Sequence, residues 1–371
     1  MAPLLATQPL KAIYTIYILL TIPVRAVYFY LRYLVKPLHP EWNANMSLLS
    51  AMLDVLFQYC LVTGSRHVLD NDPKTAKERF VEIDPPPQEL FSGAIAATGI
   101  VKPAPVKGVW LPRVPPKHSA ELKKEKVVLH FPGGAFVVTF GHEFSGRPAA
   151  EIFTKHLKAS LVLWAHYRLS ENDETRFPGA VQDAVTFYRH VISLGFEPEN
   201  IIISGDSAGG NVALALLRYL EASKLPELPL PGGFIVFSPW VSVTTRAAAH
   251  YASCENQDSD ILNGAFLQWG AESYLPSMER LPAEVEAYVS PIHHPFQTSV
   301  PVFIWAGAAE AFCADIKTFA KEMADTPGNK VRFYAQDRAA HDLLLNYHMF
   351  KLEEGFYASM RQACKFLHNA E

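Results

Sequence analysis

Short apolar runs alternate with longer amphipathic stretches from residue 107 onward. The runs are rich in Val, Ile, Leu and aromatic residues and end in turn residues, which is typical of strands that are buried on both faces of a sheet. We therefore predict strands at 127–131, 161–165, 201–203, 234–237, 300–305 and 331–334.

The stretches between these runs carry apolar residues at three- and four-residue spacing, as on the buried face of a helix. The pattern predicts helices at 180–194, 208–220 and 314–323. Because strands that alternate with helices form a mainly parallel sheet with helices on both faces, the predicted fold class is α/β. Residues 245–295 interrupt the alternation with polar, aromatic and proline-rich sequence, and we interpret them as an inserted helical cap.

The amino-terminal stretch is apolar. Residues 12–24 contain no charge and lie between Lys11 and Arg25, but they are fewer than the roughly 20 residues that span a bilayer. Extension to Val35 gives enough length, although Arg25 and Arg32 interrupt it. Two interpretations stay open: a helix that associates with a membrane, as its aromatic and flanking basic residues favour, or a helix that packs on the rest of the protein as part of the cap. A cleaved signal peptide is disfavoured, because no small-residue cleavage site follows.

These patterns divide the chain into three segments. Residues 1–36 form the apolar amino-terminal helix, which is either membrane-associating or part of the cap. Residues 37–106 lack long apolar runs and contain a proline cluster at 85–87, so we expect short helices, connections and part of the cap there. Residues 107–371 form the α/β domain, with the cap insertion near 245–295.

Composition narrows the function classes. Of 371 residues, 49% are hydrophobic and 19% are charged, which excludes a disordered chain. Lys and Arg number 33 against 37 Asp and Glu, so the net charge of -4 argues against a nucleic-acid-binding protein. The four cysteines show no C-x-x-C spacing, and we interpret them as free thiols of a reducing, intracellular compartment, either the cytoplasm or the membrane of the endoplasmic reticulum.

The strongest chemical signal is the pentapeptide Gly205-Asp206-Ser207-Ala208-Gly209, which follows a predicted strand and opens a predicted helix. In this setting, a G-x-S-x-G sequence places the serine on a tight, strained turn, with its hydroxyl exposed above the sheet edge. The amino end of the helix favours negative charge near the same point. We therefore predict Ser207 as a nucleophile and expect a structural hydrogen-bonding role for Asp206.

A glycine pair, Gly133-Gly134, follows the strand at 127–131. Glycines at this place let backbone N–H groups face a cleft, where they can stabilise the anion that forms from a carbonyl oxygen during acyl transfer. We predict the N–H groups of Gly134, Ala135 and Ala208 as the donors of this oxyanion hole, with Gly133 permitting the turn.

The glycine pair and the serine motif occur in the same order as in a known protein family. Together with segments 167–169 (YRL) and 177–184 (FPGAVQDA), the glycine pair and the serine motif resemble the hormone-sensitive-lipase-like branch of the α/β-hydrolase family. Within this branch, the chain resembles fungal esterases of the steryl acetyl hydrolase type and hydrolases of natural-product gene clusters. The resemblance covers about residues 105–368. The family usually has H-G-G-G before the aromatic residue, whereas Pro132 and Ala135 stand at the first and last of these positions here.

The resemblance implies an α/β-hydrolase fold and a Ser–His–acid triad in the chain order serine, acid, histidine. His341 lies in the loop after the last predicted strand and is the predicted base, whereas His293 and His294 lie in the predicted cap. By match to the family, Glu310, after the preceding strand, orients His341. Asp315, near the start of the next helix, stays open as the alternative acid.

The resemblance further implies a serine hydrolase that cleaves a carboxylic ester through an acyl-enzyme on Ser207. The apolar and aromatic content of the predicted cap indicates a bulky hydrophobic substrate. One alternative stays open: the same Ser–His site used non-hydrolytically, for condensation, cyclisation or elimination, in fungal secondary-metabolite (polyketide or terpenoid) biosynthesis. A binding protein similar to the plant gibberellin receptors is disfavoured, because those receptors share the fold but lack the histidine that is present here.

The expected ligand is a hydrophobic small molecule. No metal, no organic cofactor and no nucleic-acid partner is expected. Association with a membrane surface through residues 12–35 stays open, as does the formation of a homodimer.

Overall fold

The computed structural model describes residues 4–69, 73–278 and 280–368. An eight-stranded sheet forms the centre of the protein. Its strands are β1 (Phe80–Ile83), β2 (Val106–Leu111), β3 (Val127–Phe131), β4 (Leu161–His166), β5 (Ile201–Asp206), β6 (Gly233–Phe237), β7 (Val302–Gly307) and β8 (Val331–Gln336). They lie side by side in the order β1-β2-β4-β3-β5-β6-β7-β8.

Most of the sheet is parallel. Strand β2 runs antiparallel to both of its neighbours, β1 and β4, and every other pair of neighbouring strands is parallel. Because parallel strands end at the same edge, the loops that follow β3, β5, β7 and β8 meet there. This edge is where α/β sheets bind their ligands. The predicted α/β class with a mainly parallel sheet is confirmed.

Helices cover the sheet. Their bounds are α1 (Leu10–Val35), α2 (Ala44–Thr63), α3 (Pro73–Ala76), α4 (Ser119–Leu122), α5 (Arg147–His156), α6 (Gly179–Leu194), α7 (Ser207–Ser223), α8 (Ala247–Ala252), α9 (Gly264–Tyr274), α10 (Ala283–Val289), α11 (Cys313–Asp325), α12 (Leu343–Phe350) and α13 (Glu353–His368). Helices α6 and α7 contact each other and the strands β1, β2, β3, β5 and β6. On the other side, α5 contacts β4, α13 contacts β6, β7 and β8, and these two helices contact each other.

The six predicted strands are all present, but β8 differs in burial from the prediction. It was expected to be buried on both faces, yet Gln336 is its one buried residue. The reason is its position, because β8 is the last strand of the sheet and has β7 as its single neighbour. The three predicted helices correspond to α6, α7 and α11, with ends extended by one to three residues.

The sequence pattern predicts no strand at β1 or β2, yet the structure contains both. Strand β1 has four residues and exposes Glu82, so it shows no continuous apolar run. Strand β2 contains Lys107 and Gly108, which weaken the pattern in the same way. Close packing leaves little room for a side chain at Gly108, because an added Cβ would lie 3.0 Å from the side chain of Leu163.

Helix α2 packs between α1 and the segment that joins β6 to β7, and this segment contains α8, α9 and α10. The hydroxyl of Ser50 donates to the carbonyl oxygen of Asp260 at 2.9 Å. Nearby, the amide of Asn263 donates to the carboxylate of Asp54 at 2.7 Å. The inserted segment is therefore helical and is joined to the amino-terminal part of the chain by specific polar contacts.

Helix α1 contacts α2 but leaves most of its apolar side chains exposed. Ile18 and Tyr33 are its buried residues. Within the described residues, α1 and α2 are each long and apolar enough to cross a membrane by length and composition, but 39% of the apolar window of α2 is buried in the protein against 6% for α1. Helix α1 therefore buries little apolar surface against the rest of the protein.

All four cysteines are free thiols, as predicted. Burial raises the pKa of Cys60 to about 12, and it raises those of Cys254 and Cys313 to about 11. These three thiols are therefore protonated at neutral pH.

Close packing at the start of α7 yields a prediction about stability. An added Cβ at Gly209 would lie 2.0 Å from the carbonyl oxygen of Phe131, a backbone atom that cannot move away cheaply. We expect Gly209→Ala to lower the free energy of unfolding by about 3 kcal/mol, as overpacking does, measured by urea denaturation. Gly99→Ala is the control, because an added Cβ there meets nothing within 4 Å. Equal denaturation midpoints for the two variants would contradict the packing argument.

Candidate active site

Ser207 lies on the turn between β5 and α7, with a φ of 51°. This left-handed conformation is unfavourable for residues other than glycine and is typical of a serine at a strand–turn–helix elbow. The turn is tight, because an added Cβ at Gly205 would lie 2.4 Å from the carbonyl oxygen of Gly209. Ser207 is the first residue of α7, so its hydroxyl lies at the positive end of the helix dipole.

The loop after β3 is held by the buried carboxylate of Asp206. Its Oδ2 accepts a hydrogen bond from the N–H of Gly133 at 2.7 Å, and its Oδ1 lies 2.8 Å from Nε2 of His130. The hydroxyl of Tyr167 donates to the carbonyl oxygen of Pro132 at 2.8 Å. Asp206 thus has the hydrogen-bonding role expected from the sequence, and the loop is fixed without a histidine at position 132.

The loop bends at the residues after Gly133. Gly134, Ala135 and Phe136 have φ values of 130°, 52° and 64°. Gly133 was expected to permit the turn, but it is not among the residues with positive φ. Its lack of a side chain is needed for space instead, because an added Cβ would lie 2.3 Å from Oδ2 of Asp206.

The predicted oxyanion residues meet at one place. Gly133, Gly134 and Ala135 line the same cavity as Ser207. Ala208 is the second residue of α7, where backbone N–H groups have no partner within the helix. The N–H of Gly133 is already donated to Asp206. The geometry therefore leaves Gly134, Ala135 and Ala208 as the candidate donors.

His341 and Glu310 form a buried pair on the loops after β8 and β7. Nδ1 of His341 lies 2.8 Å from Oε2 of Glu310, whose Oε1 accepts the N–H of Gly307 at 3.1 Å. Burial disfavours the charged imidazolium, but the hydrogen bond and charge of Glu310, together with the charges of Asp260 and Asp206, outweigh it. The pKa of His341 therefore lies above its ordinary value of 6.5.

Ser207 and His341 face one cavity of about 300 Å³. Nε2 of His341 is buried and has no hydrogen-bond partner among the described residues, so the two side chains are not hydrogen-bonded to each other here. Such contacts often tighten only when substrate binds. The arrangement brings a serine on a strained turn, an imidazole with a free Nε2 and an orienting carboxylate to one edge of the sheet.

The rival residues lie elsewhere. Asp315, the alternative acid, contacts Nε2 of His250 through Oδ2 at 2.7 Å. His293, which precedes His294 in the chain, pairs with Glu322 at 2.7 Å and is largely exposed. The carboxylate that contacts the imidazole of His341 is therefore that of Glu310 and not that of Asp315.

Asp260 is a site residue that sequence reasoning missed. It lies between α8 and α9, and its Oδ2 accepts the N–H of Ala311 at 2.8 Å. Its Oδ1 accepts the N–H groups of Ile261 at 2.7 Å and of His341 at 3.4 Å. Burial raises its pKa, although His341 and the three N–H donors act in the opposite direction. The carboxyl group links the loop of Glu310 to that of His341, and no local motif marks it.

Asp342 is a second missed residue. It directly follows His341, has a φ of 55°, and its N–H donates to the hydroxyl of Ser238 at 3.1 Å. Burial, and then the nearby carboxylates of Asp206 and Glu310, raise the pKa of Asp342 well above its ordinary value. The side chain of Asp342 is also hydrogen-bonded to that of Asp206, and Asp342 lines the cavity.

The rest of the cavity wall is mainly apolar. Side chains from α2, the loop after β3, α9 and α12 contribute to it, among them Leu53, Phe57, Phe140, Phe266 and Leu345. A second, larger cavity of about 520 Å³ lies beyond Gly133, but Ser207 and His341 do not line it.

The chain is similar to known hydrolases and esterases. A family model described as the alpha/beta hydrolase fold matches residues 128–345. An acetyl-hydrolase of Streptomyces hygroscopicus is 27% identical over 266 residues, which cover 70% of this chain and 76% of that protein. An esterase of Acinetobacter venetianus is 30% identical over 216 residues, 58% of this chain and 66% of that protein. The crystal structure of an esterase from the bacterial hormone-sensitive lipase family matches with a TM-score of 0.58 at 21% identity, over 89% of this chain and 99% of that one.

The Glu310–His341 pair predicts the outcome of two substitutions. We expect Glu310→Gln to lower kcat on a p-nitrophenyl ester by about 10³- to 10⁴-fold, because glutamine can neither fix the tautomer nor stabilise the imidazolium. Asp315→Asn, the matched control, should retain kcat within a few-fold. Circular dichroism melting of both variants checks folding. Near-normal kcat in Glu310→Gln, or a severe loss in Asp315→Asn, would contradict the assignment.

The charges around His341 also predict the pH dependence. A base must be neutral, and its raised pKa keeps His341 protonated to a higher pH than usual. We therefore expect kcat/KM to rise with pH through an apparent pKa above 6.5. Residual activity of Glu310→Gln should show this limb at lower pH, because the carboxylate that favours the imidazolium is gone. An acid limb in the wild type below 6.5 would argue against His341 as the titrating base.

Proposed function

Since the chain belongs to the α/β-hydrolase fold family, as its motifs predict, we propose that it hydrolyses carboxylic esters with Ser207 as the nucleophile. The observation that carries the proposal is the buried His341–Glu310 pair, which leaves Nε2 of the imidazole unpartnered in the cavity that Ser207 lines. The names of the acetyl-hydrolase and esterase relatives support the same chemistry.

Acylation of the enzyme follows from these positions. Oγ of Ser207 attacks the ester carbonyl carbon while Nε2 of His341 takes its proton. The negative charge that develops on the carbonyl oxygen is stabilised by the N–H groups of Gly134, Ala135 and Ala208 and by the dipole of α7. The carboxylate of Glu310 stabilises the imidazolium. The bond to the alcohol oxygen then breaks, and the imidazolium gives its proton to the leaving alcohol.

Deacylation repeats the sequence with water. His341 takes a proton from the water as its oxygen attacks the acyl carbon, and the same N–H groups stabilise the second tetrahedral anion. Collapse of this anion breaks the bond to Oγ, which regains its proton from the imidazolium. The products are a carboxylic acid and the free enzyme.

The proposed substrate is an ester of a bulky hydrophobic molecule with a short acyl group. A cavity of about 300 Å³ lies at the lower end of the roughly 300–1,000 Å³ found for small-molecule sites, so a bulky substrate would extend beyond it. Leu69, Phe144 and Met349 line the cavity while being 39%, 64% and 47% exposed, which offers an apolar mouth. The acetyl-hydrolase relative supports the short acyl group.

We also propose that α1 binds a membrane surface. Its exposed apolar residues include Leu20, Val24, Val27 and Leu31, which follow one side of the helix at three- and four-residue spacing. A continuous row of exposed apolar side chains is typical of an interaction surface. An apolar helix with basic residues at its ends, here Lys11 and Lys36, suits the membrane–water interface.

Labelling of Ser207 tests the proposed mechanism. We expect a fluorophosphonate to add one equivalent to the wild type, located on Ser207 by mass spectrometry, and none to Ser207→Ala. This variant should hydrolyse p-nitrophenyl acetate at least about 10³-fold more slowly than the wild type. Labelling without hydrolysis of any simple ester would favour the non-hydrolytic alternative, and absence of labelling would contradict an activated serine.

Flotation with phospholipid vesicles tests the proposal for α1. We expect the full chain to float with vesicles and the double variant Leu20→Asp/Val24→Asp to stay in the dense fraction, because charge on the apolar side opposes insertion. Ile100→Asp is the matched control, since Ile100 is an exposed apolar residue outside α1. Equal flotation of the double variant and the wild type would contradict a role for this helix.

A further inference from the structure

Three buried polar atoms without a hydrogen-bond partner among the described residues belong to residues that line the cavity of Ser207. They are Nε2 of His341, Oγ of Ser145 and Oδ1 of Asp342. The proposed reaction gives a use to Nε2 of His341, because that atom exchanges protons with the nucleophile. It gives none to the hydroxyl of Ser145 or to the carboxyl of Asp342.

The two unused groups come from different parts of the chain. Ser145 lies in the π-helical turn His142–Gly146, which follows the oxyanion loop and leads into α5. Asp342 lies at the start of α12, directly after His341. Ser145 is 4% exposed and Asp342 is 6% exposed, so bulk water does not solvate them freely.

Leaving such atoms unpaired is unfavourable. A buried polar group without a partner costs about 1–3 kcal/mol, and most buried polar groups in proteins are paired for this reason. The surrounding wall offers mainly apolar side chains, such as Phe140, Phe266 and Leu345. A polar group of the substrate can supply the missing partner.

The chemistry of the two groups defines what they can bind. A serine hydroxyl both donates and accepts hydrogen bonds. The side chain of Asp342 is hydrogen-bonded to that of Asp206, and its buried Oδ1, which has no partner among the described residues, can accept a hydrogen bond. A neutral hydroxyl group suits this pair, whereas a carboxylate would add a third negative charge near Asp206 and Glu310.

We infer that Ser145 and Asp342 form a polar subsite that binds a hydroxyl group carried by the substrate in addition to its ester. The inference rests on the proposed function and narrows its substrate class to hydroxylated hydrophobic esters. Asp342 is a specificity-determining residue in this scheme and takes no part in the proton transfers of Ser207 and His341.

Matched ester pairs test the subsite. One pair varies the acyl part, p-nitrophenyl 3-hydroxybutyrate against p-nitrophenyl butyrate. The other varies the alcohol part, the 1-monoacetate of 1,2-hexanediol against hexyl acetate. We expect the hydroxylated member of at least one pair to have a kcat/KM at least about tenfold higher in the wild type, because sites built to bind a hydroxyl discriminate against analogues that lack it. A ratio near one in both pairs would overturn the inference.

Substitutions at Asp342 and Ser145 test whether these residues cause the preference for the hydroxylated ester. Asp342→Gly suits the φ of 55° while removing the carboxyl, and we expect it to bring the ratio of the two kcat/KM values close to one. Asp342→Asn, which keeps hydrogen-bonding atoms at that place, should retain part of the ratio, and Ser145→Ala should lower it. Met349→Leu, an apolar change in the same wall, should leave the ratio as in the wild type. A ratio that is unchanged in both Asp342→Gly and Ser145→Ala would overturn the inference.

A binding measurement separates this inference from the proposed function. If none of the four esters is hydrolysed, the proposed function fails, and calorimetric titration with 1,2-hexanediol and 1-hexanol then decides the subsite. Tighter binding of the diol to the wild type, lost in Asp342→Gly, would support the subsite. Equal binding of the diol and the alcohol would overturn it.

Discussion

One buried carboxylate holds the turn of Ser207 and the loop of Gly133 and Gly134 together. Asp206 directly precedes Ser207, and it contacts both the N–H of Gly133 and the imidazole of His130 on the adjacent strand. Stabilisation of a transition state depends on donors that stay in place while charge develops. Because the carboxylate fixes the distance between β5 and the loop after β3, Gly134 lies beside Ser207 before any substrate arrives.

The parts of the site that could be predicted are those with a local signal. The strand–turn–helix pattern around Ser207 needs small residues on both sides, and the chain shows them in sequence. The strand pattern likewise placed His341 on a loop at the correct sheet edge. Glu310 and Asp315 could not be separated by pattern alone, because both follow β7 within a few residues. Their separate contacts, with His341 and His250, depend on how the chain packs.

The parts that could not be predicted depend on contacts between distant residues. Asp260 contacts the backbone at Ala311 and His341, and its own surroundings in sequence contain no motif. The short strand β1 is recognisable only by its pairing with β2, since one of its four residues is exposed and another two are half-buried. The α/β pattern nevertheless predicted most of the sheet, because the buried parallel strands carry continuous apolar runs that need no knowledge of the partner strand.

The contacts of Asp260 have a mechanical consequence for how the enzyme exchanges ligands. This residue belongs to the segment between β6 and β7, yet it accepts hydrogen bonds from the loops of both Glu310 and His341. If that segment moved outward to open the cavity, these hydrogen bonds would break. The loops of Glu310 and His341 would then no longer be held by a common residue. Entry and release of ligands past the partly exposed side chains of Leu69, Phe144 and Met349 would leave these hydrogen bonds intact.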